Sequence, residues 1–371
     1  MLSQRLTELI RVEMADAGGA IPFARFMELA LYAPELGYYS AGKHKFGSAG
    51  DFVTAPELGS VFAQCLAHQC AQIIDTLAKD NILEVGAGSG ALAVQLLLEL
   101  ERAGKLPEKY LILEISSALR ARQRALFAEK APHLLERVLW LDRFPSAGFC
   151  GVVLGNELLD AMPVERFRTR ADGVARLQVG WEENRFVWHE ATANDALRKR
   201  VTMLDLPDDY VSEISFAAEG WMRSVADMLE QGVLLLIDYG FPGHEFYHPQ
   251  RASGTLMCHY RHRVHADPLL NVGLQDITAH VDFTAIARAG TESGLSLLGY
   301  ASQAFFLLGC GLDEIGSRVS ADTREQLMLM NEIKKLSLPH EMGELFKVIA
   351  FGRGVDTPLV GFRLQDRRGR L

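Results

Sequence analysis

Cysteine is scarce in this sequence and follows no pattern. The five cysteines, Cys65, Cys70, Cys150, Cys258 and Cys310, are odd in number and include no Cys-x-x-Cys pair. That excludes a disulfide framework or a zinc ribbon and fits reduced thiols in a cytosol-like compartment. Basic charge is not in surplus either. Lys and Arg number 38 against 47 Asp and Glu, a net charge of -9 with His neutral, so the electrostatic footprint of a nucleic-acid binder is missing and no nucleic-acid partner is expected. Long apolar runs are also missing: stretches such as Gly232 to Ile237 are strand-length, far short of the roughly 20 residues that span a bilayer. The N-terminal segment carries Glu8, Glu13 and Asp16. It therefore reads neither as a secretory leader nor as an acid-poor transit peptide, and a cytoplasmic bacterial protein is expected.

What is present is ample apolar material, 49% of 371 residues, enough for about two domains or for one domain with large insertions. Residues 1–78 read as an N-terminal helical cap with a long Gly- and aromatic-rich loop. From Asn81 short apolar strands alternate with amphipathic helices, the signature of βαβ units and a parallel sheet. The alternation runs through 79–164, breaks at 165–215 into a meander with a turn at Asp172-Gly173, and resumes over 216–371 around an irregular stretch at 242–276. The expected fold is α/β, with seven core strands, the N-terminal cap and the 165–215 insertion acting as a substrate-selecting subdomain.

The sharpest motif is Glu84-Val85-Gly86-Ala87-Gly88-Ser89-Gly90, placed between a strand and a helix. Glycines let the backbone turn tightly and let a ligand approach, while the amides at the helix start favour a polar or anionic group. Gly86, Gly88 and Ala91 nearly satisfy a nicotinamide fingerprint. Glu84 with Gly86, Gly88 and Gly90 fully satisfies the pattern of S-adenosylmethionine sites, in which an acid helps orient a cationic cofactor. Glu114, ending the next strand, suits the ribose hydroxyls in either class. Asp142, just after the third strand, is placed either beside the adenine or as a turn cap.

The motifs resemble class I S-adenosylmethionine methyltransferases with a Rossmann-like sheet, and the chain as a whole resembles the MidA family. The resemblance is carried by Gly50 to Glu57, Glu84 to Gly90, Leu113-Glu114, Asn156-Glu157-Leu158-Leu159-Asp160-Ala161-Met162-Pro163, Ile237 to Gly240, the segment around His262 and His265, Asp276 to Phe283 and Met342-Gly343. It implies methylation of a protein, with arginine as the side chain in the mitochondrial member and a subunit of NADH:ubiquinone oxidoreductase as that member's substrate. Ala87 stands where the family often has proline.

Arginine is a poor nucleophile because its lone pair is delocalised, so acids that grip the guanidinium are wanted to orient it. Asn156, Glu157 and Asp160 follow the fourth strand, at the edge where open α/β sheets bind ligands. If a helix begins there, Glu157 and Asp160 share a face. Asp238, after the fifth strand, is expected to face substrate, with Tyr239 bounding the pocket. The resemblance also implicates Gly50, Asp51, Phe52, Thr54 and Glu57 as a lid over the cofactor. Three histidines, His259, His262 and His265, invite a metal reading, but no acid completes a ligand set and no metal is expected. Two rivals stand beside methyl transfer: an S-adenosylmethionine-binding assembly chaperone without turnover, and a nucleotide-linked oxidoreductase.

Overall fold

The computed structural model describes residues 2–41, 54–317 and 322–371. The chain opens with α1 (Leu2–Asp16), β1 (Ala20–Pro22) and α2 (Phe23–Tyr32), then α3 (Ala55–Leu58) and α4 (Val61–Ile74). The first βα series is β2 (Asn81–Val85), α5 (Ala91–Arg102), β3 (Tyr110–Leu113), α6 (Ser117–Lys130), β4 (Val138–Leu141) and β5 (Phe149–Asn156). An insertion follows: β6 (Glu165–Arg170), β7 (Gly173–Glu182), β8 (Arg185–Thr192), α7 (Asp195–Thr202) and β9 (Val211–Ile214). Next come α8 (Phe216–Met228), β10 (Leu229–Phe241), α9 (Gly243–Phe246), β11 (Met257–Tyr260), β12 (Arg263–His265), β13 (Asp276–Thr278) and β14 (Val281–Asp282). The chain ends with α10 (Phe283–Glu292), β15 (Ser296–Ser302), α11 (Gln303–Gly309), α12 (Leu312–Gly316), α13 (Thr323–Ser337), α14 (Met342–Leu345) and β16 (Phe346–Arg353).

The main sheet runs β15-β16-β10-β5-β2-β3-β4, with the two-residue β14 added at the end of β10. The run from β10 to β4 is parallel, and β16 lies antiparallel between β10 and β15. The central strands are continuous apolar runs because both sheet faces are covered. Ile82, Val152, Leu154 and Leu235 pack toward α4 and α5, while Leu83, Val153, Leu234 and Leu236 pack toward α8 and α10. Each such side chain contributes roughly 1.5–3 kcal/mol on burial.

The topology also says where a ligand belongs. The chain leaves β2 toward β3 and β4, then returns to place β5 on the other side of β2. The carboxyl ends of β2 and β5 therefore flank a topological switch point, the usual crevice of open α/β sheets.

The insertion builds a second sheet, β1-β7-β6-β9, with β8 on the far edge of β7. β7 pairs with β6 over residues 173–177 and with β1 over 178–180, so the N-terminal segment continues the same edge. Phe23 and Phe26 of α2 pack on Trp188 and Phe186, with ring centroids 5.1 and 5.2 Å apart. The cap and the insertion thus share one core. By contrast, α4 belongs to the core beneath the main sheet.

The 242–276 stretch, expected to be irregular, contains a three-stranded sheet, β12-β11-β13. Its hairpin turns at Arg261 and His262, both with positive φ. His259 and His265 lie on opposite strands of this hairpin and His262 in its turn, so the three do not share a helical face. Among the described residues, no helix is long and apolar enough to cross a membrane.

Candidate active site at the switch point

A cavity of about 830 Å³ opens over the carboxyl ends of β2, β3 and β5, within the roughly 300–1,000 Å³ usual for small-molecule sites. The glycine bend forms one wall. Gly86, Gly88 and Gly90 have φ of 71°, 53° and 87°, a region L side chains rarely adopt. Gly90 is the N-cap of α5, and a Cβ there would lie 3.1 Å from Cγ of Gln123. That glutamine ties the wall together: its Nε2 donates to the Gly88 carbonyl at 2.9 Å and to Glu114 at 3.3 Å. Gly88, Gly86 and Glu84 line the cavity.

Glu84 and Glu114 sit at the ends of their strands as expected, and both line the cavity. The hydroxyl of Tyr110 donates to Glu84 at 2.7 Å. Burial still pushes the Glu84 carboxyl up to about 7. Glu114 accepts from the Ser116 amide at 2.9 Å and is also raised by burial. Thr54 and Glu57 close this side, with the Ser89 hydroxyl donating to Glu57. Gly50, Asp51 and Phe52 lie outside the described residues. Asp142, for which a place beside the adenine and a turn cap were both open, sits in an exposed bend after β4 and does not line the cavity, whereas Phe144, two residues on, does.

The opposite wall comes from Asn156 to Pro163. This segment is a tight turn, not the start of a helix, and Glu157 has φ of 50°. Its shape is set from a distance. Oδ2 of Asp238 accepts from the amides of Leu158, Leu159 and Asp160 at 3.1, 2.8 and 3.3 Å, and Oδ1 accepts from the Tyr239 amide at 2.9 Å. Asp238, expected to face substrate, is 1% exposed, engaged with backbone and absent from the cavity wall. It holds the turn that presents Asn156, Glu157 and Asp160, all of which line the cavity.

Asn156 Nδ2 donates to Glu157 Oε1 at 3.2 Å, and the Tyr239 hydroxyl donates to Asp160 Oδ2 at 2.5 Å. Among the described residues, two buried acceptors of this wall, Asn156 Oδ1 and Asp160 Oδ1, have no donor. Desolvation and the neighbouring Asp160 push Glu157 up to about 8, and desolvation pushes Asp160 up to about 6. Burial and the charges of Asp160 and Glu157 raise Asp238 against the pull of its amide donors.

Tyr32, Tyr39 and Asp276 also line the cavity; Asp276 opens a stretch that carries the family resemblance, but none of the three is among the site residues expected from the sequence. The Tyr39 hydroxyl donates to both Asp276 oxygens, at 3.0 and 2.9 Å, and stacks on Tyr32 at 5.5 Å. The signal was the aromatic-rich loop after α2, whose destination depends on a partner 237 residues away. Eight acids and two arginines line the cavity. Arg25 is paired with Glu13 and Glu28, and Arg176 with Glu165. The arginines are thus neutralised by their own partners and the surplus is acidic, which suits cationic guests.

Comparison with known proteins agrees with this geometry. Residues 65–301 match the model of a family described as "Putative S-adenosyl-L-methionine-dependent methyltransferase". A protein from Burkholderia thailandensis, whose crystal structure holds S-adenosyl-homocysteine, is 47% identical, with TM-score 0.96 over 100% of this chain and 97% of that one. The "Protein arginine methyltransferase NDUFAF7 homolog, mitochondrial" of Drosophila melanogaster is 26% identical over 96% of this chain and 88% of its own. The mouse "Protein arginine methyltransferase NDUFAF7, mitochondrial" is 24% identical over 94% and 85%.

Proposed function

Because this chain belongs to the S-adenosyl-L-methionine-dependent methyltransferase family whose model it matches, we propose that its cavity presents an arginine side chain of a protein substrate for N-methylation. S-adenosylmethionine is the methyl donor. The residues fit it: a glycine bend of positive φ leaves room for close approach, Glu114 offers carboxylate oxygens to hydroxyls, and the acidic surplus suits a cation. When bound, the donor supplies an electrophilic methyl carbon on a positively charged sulfur.

The chain's own residues do the rest. A guanidinium entering beside Asn156 brings several N–H donors in a fixed plane. Among the described residues that line the cavity, Asn156 Oδ1 and Asp160 Oδ1 are buried acceptors that lack donors, and this pair is the observation that carries the reading. Glu157, one residue from Asn156, adds a third acceptor. A carboxylate on one side of the guanidinium draws positive charge there and leaves the opposite nitrogen richer in electrons. N-methylation of a guanidinium releases one proton, and Glu157, raised to about 8, is matched to accept it near neutral pH.

Arginine as the acceptor rests on the names of relatives at 24–26% identity and on this acceptor set. A respiratory NADH dehydrogenase subunit, implied by the family resemblance, is the first substrate to test. The experiment is incubation of the purified chain with methyl-labelled donor and a bacterial lysate, followed by acid hydrolysis and mass spectrometry. Label in methylarginine supports the reading. Label only in lysine, carboxyl groups or small molecules, with donor binding intact, defeats it.

A further inference from the structure

A second cavity, of about 150 Å³, shares no lining residue with the first. Its wall is assembled from the end of β10 (Phe241), α9 (Glu245), β15 (Tyr300), α14 (Glu344), β16 (Lys347) and the C-terminal segment (Arg367 and Arg370). Lys347 is 5% exposed; among the described residues its ammonium donates to the backbone carbonyls of Glu344 and Leu345 and lies 6.0 Å from the centroid of the Phe241 ring. It forms no ion pair with any described carboxylate. Both carboxylates in the wall are already engaged: Arg367 pairs with Glu344, and Arg370 pairs with Glu245 at 2.7 Å. The hydroxyl of Tyr300, a residue with no exposed surface, has no hydrogen-bond partner among the described residues.

Lys347 and Tyr300 face one shared environment. The charges of Glu344, Glu245, Arg367 and Arg370 act on both groups. Burial lowers the Lys347 ammonium to about 8, so it stays mostly cationic at pH 7. The wall therefore holds three cations against two carboxylates, plus one O–H donor without an acceptor. A buried cation without a counter-charge and a buried hydroxyl without an acceptor both cost stability. The complement is a single compact anion that also accepts hydrogen bonds.

We propose that this cavity is a binding site for a compact oxyanion, a small carboxylate or inorganic phosphate, held by Lys347 and Tyr300 with Arg367 and Arg370 as flanking charges. The site stands apart from the methyl-transfer reading, because neither residue lines the larger cavity. Two anion chemistries fit the same donors, and the experiment separates them.

The purified full chain is melted at fixed ionic strength and pH 7 in sodium chloride, with sodium acetate or sodium phosphate titrated in. The expected result is a saturable rise in Tm of about 2–4 °C with at least one oxyanion. A rise with acetate alone assigns a carboxylate site, and a rise with phosphate alone assigns a phosphate site. Lys347→Met is expected to abolish the rise. Tyr300→Phe removes only a buried hydroxyl and is expected to weaken the apparent affinity about tenfold, as loss of one charge-assisted hydrogen bond does. No saturable rise with either oxyanion overturns the proposal, and so does an equal rise in Lys347→Met. If Lys347→Met fails to fold, the wild-type titration and Tyr300→Phe decide between the same outcomes.

Discussion

On the glycine-bend side of the large cavity, Glu57, Glu84 and Glu114 each accept a hydrogen bond from the protein itself. On the Asn156 to Asp160 side, two buried oxygens, Asn156 Oδ1 and Asp160 Oδ1, have none among the described residues. The first wall is built from local sequence, with a strand, three glycines and a helix following one another between residues 81 and 102 and one glutamine bracing it. The second is a turn of positive φ at Glu157, held by an aspartate 78 to 80 residues away. A preformed wall suits a guest of constant shape, and a wall with acceptors left over suits a guest that brings its own donors. On the proposed reading, the first guest is the constant methyl donor and the second an incoming guanidinium.

The comparison breaks most sharply at Glu157. Glu157→Gln is expected to lower methyl transfer by about 10²–10³-fold, the scale of losing one positioned electrostatic group. Donor affinity, measured by calorimetry, should stay within about threefold, because the first wall is untouched. Equal losses in affinity and turnover would show that the two walls do not act separately. Gly90→Val is the converse. Its positive φ and the 3.1 Å approach to Gln123 mean the substitution displaces the brace on Gly88 and Glu114, and donor affinity should fall about tenfold or more, since the strain alone is about 1–2 kcal/mol.

The pH profile sharpens the same contrast. Glu157 is ionised above about 8 and Asp160 above about 6. The ionised forms are the ones that grip a guanidinium, so kcat/KM should rise with pH and level off near 8, with a second, steeper fall below 6. Glu157→Gln should remove the upper break. Stability runs the other way. The Glu157 carboxyl rises from its ordinary 4.5 to about 8 on folding, so the folded state holds the extra proton. Its contribution is fully present below 4.5 and is lost as pH rises through 8. Glu157→Gln should therefore raise Tm at pH 9 and leave it nearly unchanged at pH 4, as thermal melts at the two pH values would show.

Legibility in the sequence divides along the same line. The glycine bend was readable because its cause is local: Glu84, Gly86, Gly88 and Gly90 sit in one strand-to-helix transition. Asn156, Glu157 and Asp160 were readable as residues but not as a shape. A shared helical face was the condition weighed for them, and three amides instead bond to Asp238, a partner that no local pattern reveals. Long-range contacts likewise hold Asp238 on the backbone of residues 158–160 and join Tyr39 to Asp276 at the cavity wall. The sheet order was legible only as alternation. Where the insertion meets the N-terminal segment depends on pairing between β1 and β7, about 160 residues apart in the chain.

The smallest effect tests the turn at its far end. The Tyr239 hydroxyl donates to Asp160 Oδ2 at 2.5 Å and thereby pulls down a carboxyl that burial pushes up to about 6. Tyr239→Phe deletes that donor and leaves the ring in its edge contacts with His280 and Phe346, at 5.4 Å each. Asp160 should then ionise at higher pH, and the lower break in kcat/KM should move up by about one unit, the scale of one hydrogen bond to a charged group. Turnover at pH 9, where Asp160 is ionised in both proteins, should change only a few-fold, since the amides bound to Asp238 still hold the turn. An unmoved lower break with a large loss at pH 9 would mean that Tyr239 shapes the wall instead of tuning its charge. The two walls would then differ in geometry alone, not in the state of their carboxyl groups.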